Sequence, residues 1–154
     1  MLRHLRLLTL TPVLAAAVLF AVPAGASPCT TLATIHPLGA AALPSSTSTY
    51  NYLSVALAKI DKNAALARRY ELTLRALAPH LGAAKAPAVR AAADFTKFYE
   101  DDTALYHAAL ALAADRGSSA KLEAVTSLVL KTNSAAITSS FAVLSLREDV
   151  TACR

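Results

Sequence analysis

The chain has 154 residues, a formal net charge of +5 and a 55% hydrophobic composition, which leaves room for one domain and excludes a multi-domain enzyme. Its mean hydropathy of +0.44 owes much to alanine, a residue that favours helix without requiring lipid around it. With no tryptophan, four phenylalanines and five tyrosines, the core has to be built largely from leucine, valine and alanine.

The first 26 residues read as an export signal. Arg3, His4 and Arg6 form a basic start, residues 7–22 an apolar run broken only by Thr9, Thr11 and Pro12, and Pro23-Ala24-Gly25-Ala26 offers small residues for cleavage before Ser27. Retention as a single membrane anchor is the competing reading, since the run approaches the roughly 20 apolar residues that span a bilayer. Ser27-Pro28 directly before Cys29 argues against lipid attachment at that cysteine. Cleavage removes Arg3 and Arg6 and no acid, so the formal charge falls to +3. That balance, with Arg68-Arg69 as the sole adjacent basic pair left, is no nucleic-acid footprint. No stable membrane insertion is expected after cleavage, and the expected location is secreted, periplasmic or cell envelope.

Two cysteines, Cys29 and Cys153, stand near the two ends of the processed chain. In an oxidising compartment an isolated pair reads as a disulfide, with a loop-closure stabilisation of about 4–5 kcal/mol.

Residues 27–46 carry Pro28, Pro37, Pro44 and Gly39 with little periodicity and read as an extended arm. Ile35, Leu38 and Leu43 are its candidates for lying in a groove between helices, with a short helical piece placed around 38–43. Residues 47–154 form the bundle domain. A first helix starts after Ser45-Ser46-Thr47-Ser48, with Tyr50, Leu53, Leu57 and Ile60 inward. Asp61-Lys62-Asn63 reads as a turn. A second helix covers 64–81, with Leu66, Tyr70, Leu74, Leu77 and Leu81 inward and Arg68, Glu71 and Arg75 outward; Pro79 weakens its last turn and Gly82 ends it.

A third helix starts near Pro87, whose missing amide hydrogen costs nothing in a first turn. Arg90, Asp94, Lys97 and Asp101 form its solvent wedge, opposite Ala92, Phe95, Tyr99, Thr103, Tyr106, Leu110 and Ala113. Unbroken to Asp115, it is about 29 residues and about 43 Å long. Arg116-Gly117-Ser118-Ser119 is a stop and a fresh cap. Leu122, Val125, Val129, Asn133, Ala136, Ser140 and Val143 then keep one phase, which favours a single fourth helix to about Leu146 over two with a kink near Asn133. Leu128, Leu130, Phe141 and Leu146 fall off that stripe and give the helix apolar surface on more than one side. The fold class is all-α, a small antiparallel bundle of about four helices with an irregular N-terminal arm.

Chemistry is sparse. The histidines of the processed chain, His36, His80 and His107, have no ligand spacing, no glycine-rich phosphate loop or nucleophile elbow occurs, and bridged cysteines are not nucleophiles. Neither a metal nor a cofactor is expected, nor a catalytic residue. One candidate ligand site consists of Tyr70, Tyr99, Asp102, Tyr106 and His107, because tyrosine and histidine ligate haem iron and an aromatic-edged groove holds flat apolar molecules. Asp102, one turn from Tyr99 and Tyr106, is placed to accept their hydroxyls or to bind a cation. The leading expectation is noncatalytic association with a protein partner, a second copy or an envelope surface; the alternative is a carrier of a small apolar ligand such as haem.

Overall fold

A computed structural model describes residues 27–39 and 49–150; the leader, Leu43 and Cys153 lie outside the described residues. The fold is all-helical: three long helices pack side by side, with one short helix before them.

The short helix, α1 (Pro28–Ala33), opens on Ser27, whose hydroxyl accepts the Thr30 amide at 3.2 Å, with Pro28 in the first position. This helix is not among the elements expected from the sequence; of the short piece expected at 38–43, residues 40–43 lie outside the described residues. Six residues cannot hold a helix alone. Leu32, Ile35 and Leu38 are buried in the main core and hold the arm to the bundle.

The second helix, α2 (Thr49–Leu77), runs straight through Asp61-Lys62-Asn63, so the expected turn and the division into two helices are incorrect. These polar residues include no glycine or proline, and the inward phase survives them: Ile60, Asn63, Ala67, Tyr70, Leu74 and Leu77 alternate at three and four residues and are all buried. Asn63 spends its side-chain amide on the arm, donating to the Gly39 carbonyl at 2.9 Å. The helix stops at Leu77, earlier than the expected 81. Pro79 lies in a 3₁₀ turn, Ala78–His80, and Gly82, at φ 54°, takes the left-handed conformation that redirects the chain and opens a second 3₁₀ turn, Gly82–Ala84.

The third helix, α3 (Lys85–Ala114), has Pro87 in its first turn. The fourth, α4 (Ser119–Asp149), is capped by the Ser118 hydroxyl, which accepts the Lys121 amide at 3.3 Å, and is unbroken at Asn133. Several of its serines and threonines bond within the helix. Thr138 donates to the Ser134 carbonyl, and Ser139 and Ser140 to that of Ala136.

Helix α3 packs along both α2 and α4. Ile60 meets Leu105, Leu112, Val125 and Val129 in one apolar cluster, while Leu74 and Leu77 share the other with Ala88, Ala91, Val143 and Leu146. Consecutive long helices are therefore antiparallel, and alanines at the seam let them approach closely. In α3 the buried seam is Ala91, Phe95, Phe98, Asp102, Leu105, Ala109 and Leu112, turned by roughly one residue from the expected face. Leu110 and Leu122, expected inside, are exposed, and Leu146, expected off the stripe, is buried. Glu71 and Asp101, expected on solvent faces, are buried as ion pairs.

The arm and the end of α4 are joined by one side chain. Arg147 donates from Nε and Nη2 to the Leu32 carbonyl and from Nη2 to that of Ile35, at 2.7–3.2 Å. Replacing Arg147 with alanine strips two carbonyls at the end of α1 of a charged donor, a loss of about 2 kcal/mol. We expect hydrogen exchange at Leu32 and Ile35 to accelerate in that variant while amides of α3 stay protected. Unchanged exchange in the arm would show that its apolar side chains alone hold it.

Candidate functional site

An open groove of about 490 Å³ runs between α2 and α3. Helix α2 contributes Asp61, Ala64, Ala65, Arg68, Arg69 and Leu72, and α3 contributes Tyr99, Thr103 and Tyr106. The α3 residues are one face of the helix at spacings of four and three, next to the buried seam. Two of the five candidate ligand residues, Tyr99 and Tyr106, thus meet in one wall. Tyr70 does not reach it: its ring is buried edge-on to Phe95, with centroids 5.5 Å apart. His107 is exposed, its ring 5.9 Å from that of Tyr106.

Asp102 is drawn into the core. It is 1% exposed, and its carboxyl oxygens make no well-formed hydrogen bond; the backbone N–H of Ala64 approaches without closing one. The expected bonds from the tyrosine hydroxyls are absent, because Tyr99 and Tyr106 point along the groove wall while Asp102 occupies the seam between Phe98 and Leu105. Burial pushes its carboxyl up from 3.8 to about 7, with the backbone N–H of Ala64 opposing the rise. The seams of α2 and α4 carry a polar residue at the same level. Asn63 lies between Ile60 and Ala67, and Thr132, whose hydroxyl is also buried without a partner, between Val129 and Ala135. This polar level separates the two apolar clusters.

Two other carboxylates are buried with full compensation. Burial would raise Glu71, but hydrogen bonds from Arg75, at 2.7 Å, and from Arg68 outweigh it and hold its pKa below the usual value. The same holds for Asp101, which joins Lys131 of α4 at 2.8 Å and Lys97 at 3.0 Å. Asp101 therefore ties α3 to α4. Among the described residues no three His, Cys, Asp or Glu side chains converge as a metal site.

Sequence reasoning missed the α2 side of the groove. Asp61, Ala65, Arg68 and Leu72 recur at four, three and four residues, which is one helical face. The supposed turn at 61–63 cut that face in two and hid it.

A second surface feature lies on α4. Leu130, Ile137, Phe141 and Leu144 are 59%, 58%, 65% and 45% exposed and follow one another at seven, four and three residues, so they form a stripe along the helix. A shallow groove of about 250 Å³ borders it, with Pro37 and Leu38 of the arm on the far side. No described helix is long and apolar enough to cross a membrane.

Comparison with protein-family models finds no match, and comparisons with curated proteins and with solved structures find none.

Proposed function

We propose that the chain is an exported, noncatalytic helical protein that acts by association, pairing with a second copy of itself through the exposed stripe of α4. The observation that carries this reading is the stripe: four large apolar side chains in one row on a helix whose opposite face already fills the core. Residues 132–146 contain no charged side chain. Two identical stripes therefore meet without like-charge repulsion, as an isologous two-fold interface requires. Export is supported by the leader composition and by cysteine usage. No described cysteine is free, Cys153 is the only other cysteine in the sequence, and Cys29 packs on the same cluster as Val150, three residues before Cys153.

Light scattering on the purified protein tests the reading. The wild type is expected at twice the mass of one chain. Phe141→Asp should weaken pairing at least about tenfold, since burying one such side chain is worth roughly 1.5–3 kcal/mol. Its thermal midpoint should equal that of the wild type diluted to a single chain, where the side chain is exposed, and lie below that of the paired wild type. A wild type that stays single at its highest soluble concentration overturns self-pairing. An unreduced mass showing two free thiols overturns the exported, bridged form.

The groove supports a second reading, a carrier of a small apolar ligand, because it brings Tyr99 and Tyr106 together over Ala64, Ala65 and Leu72.

A further inference from the structure

The groove between α2 and α3 is not uniformly apolar, and its charges are sorted along its length. Asp61 stands at one end and Arg68 and Arg69 toward the other. Eight residues of helix separate Asp61 from Arg69, about 12 Å along the axis. Arg68 is committed to Glu71. Arg69 is exposed, and its guanidinium makes no ion pair or hydrogen bond among the described residues. Because α2 and α3 are antiparallel, Tyr99 lies at the arginine end and Tyr106 toward Asp61. Between the charged ends the lining is Ala64, Ala65, Thr103 and the rings of Tyr99 and Tyr106, with Leu72 beyond Arg69.

Resting on the carrier reading, we infer that the groove takes one amphipathic anion, an unbranched alkyl carboxylate, with its head at Arg69 and its chain directed toward Tyr106. A guanidinium without a partner offers paired N–H donors that match a carboxylate, and the adjacent Tyr99 hydroxyl can add a further donor. Thr103 lies along the path of the chain, but its hydroxyl is already engaged, donating to the Tyr99 carbonyl at 2.7 Å. The Asp61 carboxylate repels an anion at the far end and so fixes the ligand's direction. A neutral chain of the same length lacks the charged bond, and a cation is repelled by the arginine end.

Calorimetric titration of the purified protein with decanoate, 1-decanol and decyltrimethylammonium tests this. Decanoate is expected to bind at least about tenfold more tightly than 1-decanol, the value of one charge-assisted hydrogen bond, with the cation weakest. Arg69→Gln should lower decanoate affinity by about the same factor and leave 1-decanol unchanged. Ala65→Phe, which fills the groove from an exposed position, should abolish binding of both while circular dichroism stays that of the wild type. Equal affinity for decanoate and 1-decanol overturns the anion assignment and leaves the groove as an apolar site. Decanoate binding that ignores Arg69→Gln overturns the placement of the head. No binding of any of the three overturns both the inference and the carrier reading.

Discussion

Raising the pH from about 4 to about 7 is expected to weaken this bundle, by about 1.4 kcal/mol per unit and about 4 kcal/mol across the interval. The group responsible is Asp102, whose buried carboxyl is raised from 3.8 to about 7. Within that interval the folded chain keeps a proton that the unfolded chain has released, so stability falls as pH rises. Above the folded value both forms are ionised and the dependence flattens. Glu71 and Asp101 act in the opposite sense. Their folded values are lowered by Arg75 and Arg68 and by Lys131 and Lys97, so their stabilisation is complete above the usual carboxylate values and is lost as pH falls through the lowered ones. The stability maximum should therefore lie near pH 4–5, on the acid side of the range of roughly 5–8 usual for proteins.

Urea unfolding followed by circular dichroism at about pH 4.5, 6 and 7.5 measures this slope directly. Asp102→Asn keeps the shape of the side chain and has no proton to lose. It should flatten the profile and exceed the wild type by about 2 kcal/mol at pH 7.5, the cost of an uncompensated buried carboxyl being at least that large. Parallel profiles for the two proteins would mean that Asp102 is hydrated or paired in solution. Asp101, the nearest acid in sequence, is held by two lysines and acts in the opposite sense; Asp94, also raised by burial, acts in the same sense as Asp102, and Asp102→Asn separates the two.

What could be read from the sequence follows from where punctuation and chemistry coincide. Gly117 and Ser118 are a stop and a cap that act locally, and α4 begins where they place it. Pro87 fixes the start of α3 within two residues for the same reason. The reading failed where a polar residue had to be placed by its neighbours. Asp61-Lys62-Asn63 has the composition of a turn, yet Asn63 is a seam residue bonded to the arm, and no local signal announces a partner 24 residues away. In α3, Asp102, expected beside the inward face as an acceptor for the tyrosine hydroxyls, is itself a seam residue, and the row Phe98, Asp102, Leu105 lies one position from the expected row through Tyr99 and Tyr106. That row is the groove wall, so the error about the core identified half of the candidate site. The α4 surplus was legible because Leu130 and Phe141 fall off a stripe that already has enough apolar residues to bury the helix.

Replacing Phe98 with alanine should cost about 3–5 kcal/mol, a large fraction of the total for a domain of this size. Phe98 has no exposed surface and lies in a cluster where α2 contributes Ala67 and α4 contributes Ala135 and Ala136. The ring fills the space that these small side chains leave between three closely approaching helices, so its loss opens a cavity that none of them can reach into. Two features oppose a collapse that would reduce the cost. The antiparallel seams bring Phe98 next to the polar level of Asn63, Asp102 and Thr132, and sliding any helix to close the gap would put one of those groups against apolar side chains. Asp101 further pins α3 to Lys131 of α4 at the same height. Urea midpoints for Phe98→Ala and Phe141→Ala provide the comparison, with an unchanged slope showing that the unfolded state is the same. Measured at concentrations low enough for the protein to be a single chain, where Phe141 is exposed, Phe141→Ala should shift stability by no more than about 0.5 kcal/mol. If Phe98→Ala costs less than about 1.5 kcal/mol, the alanine seams can close on one another, and the level of polar side chains does not lock the register of the bundle.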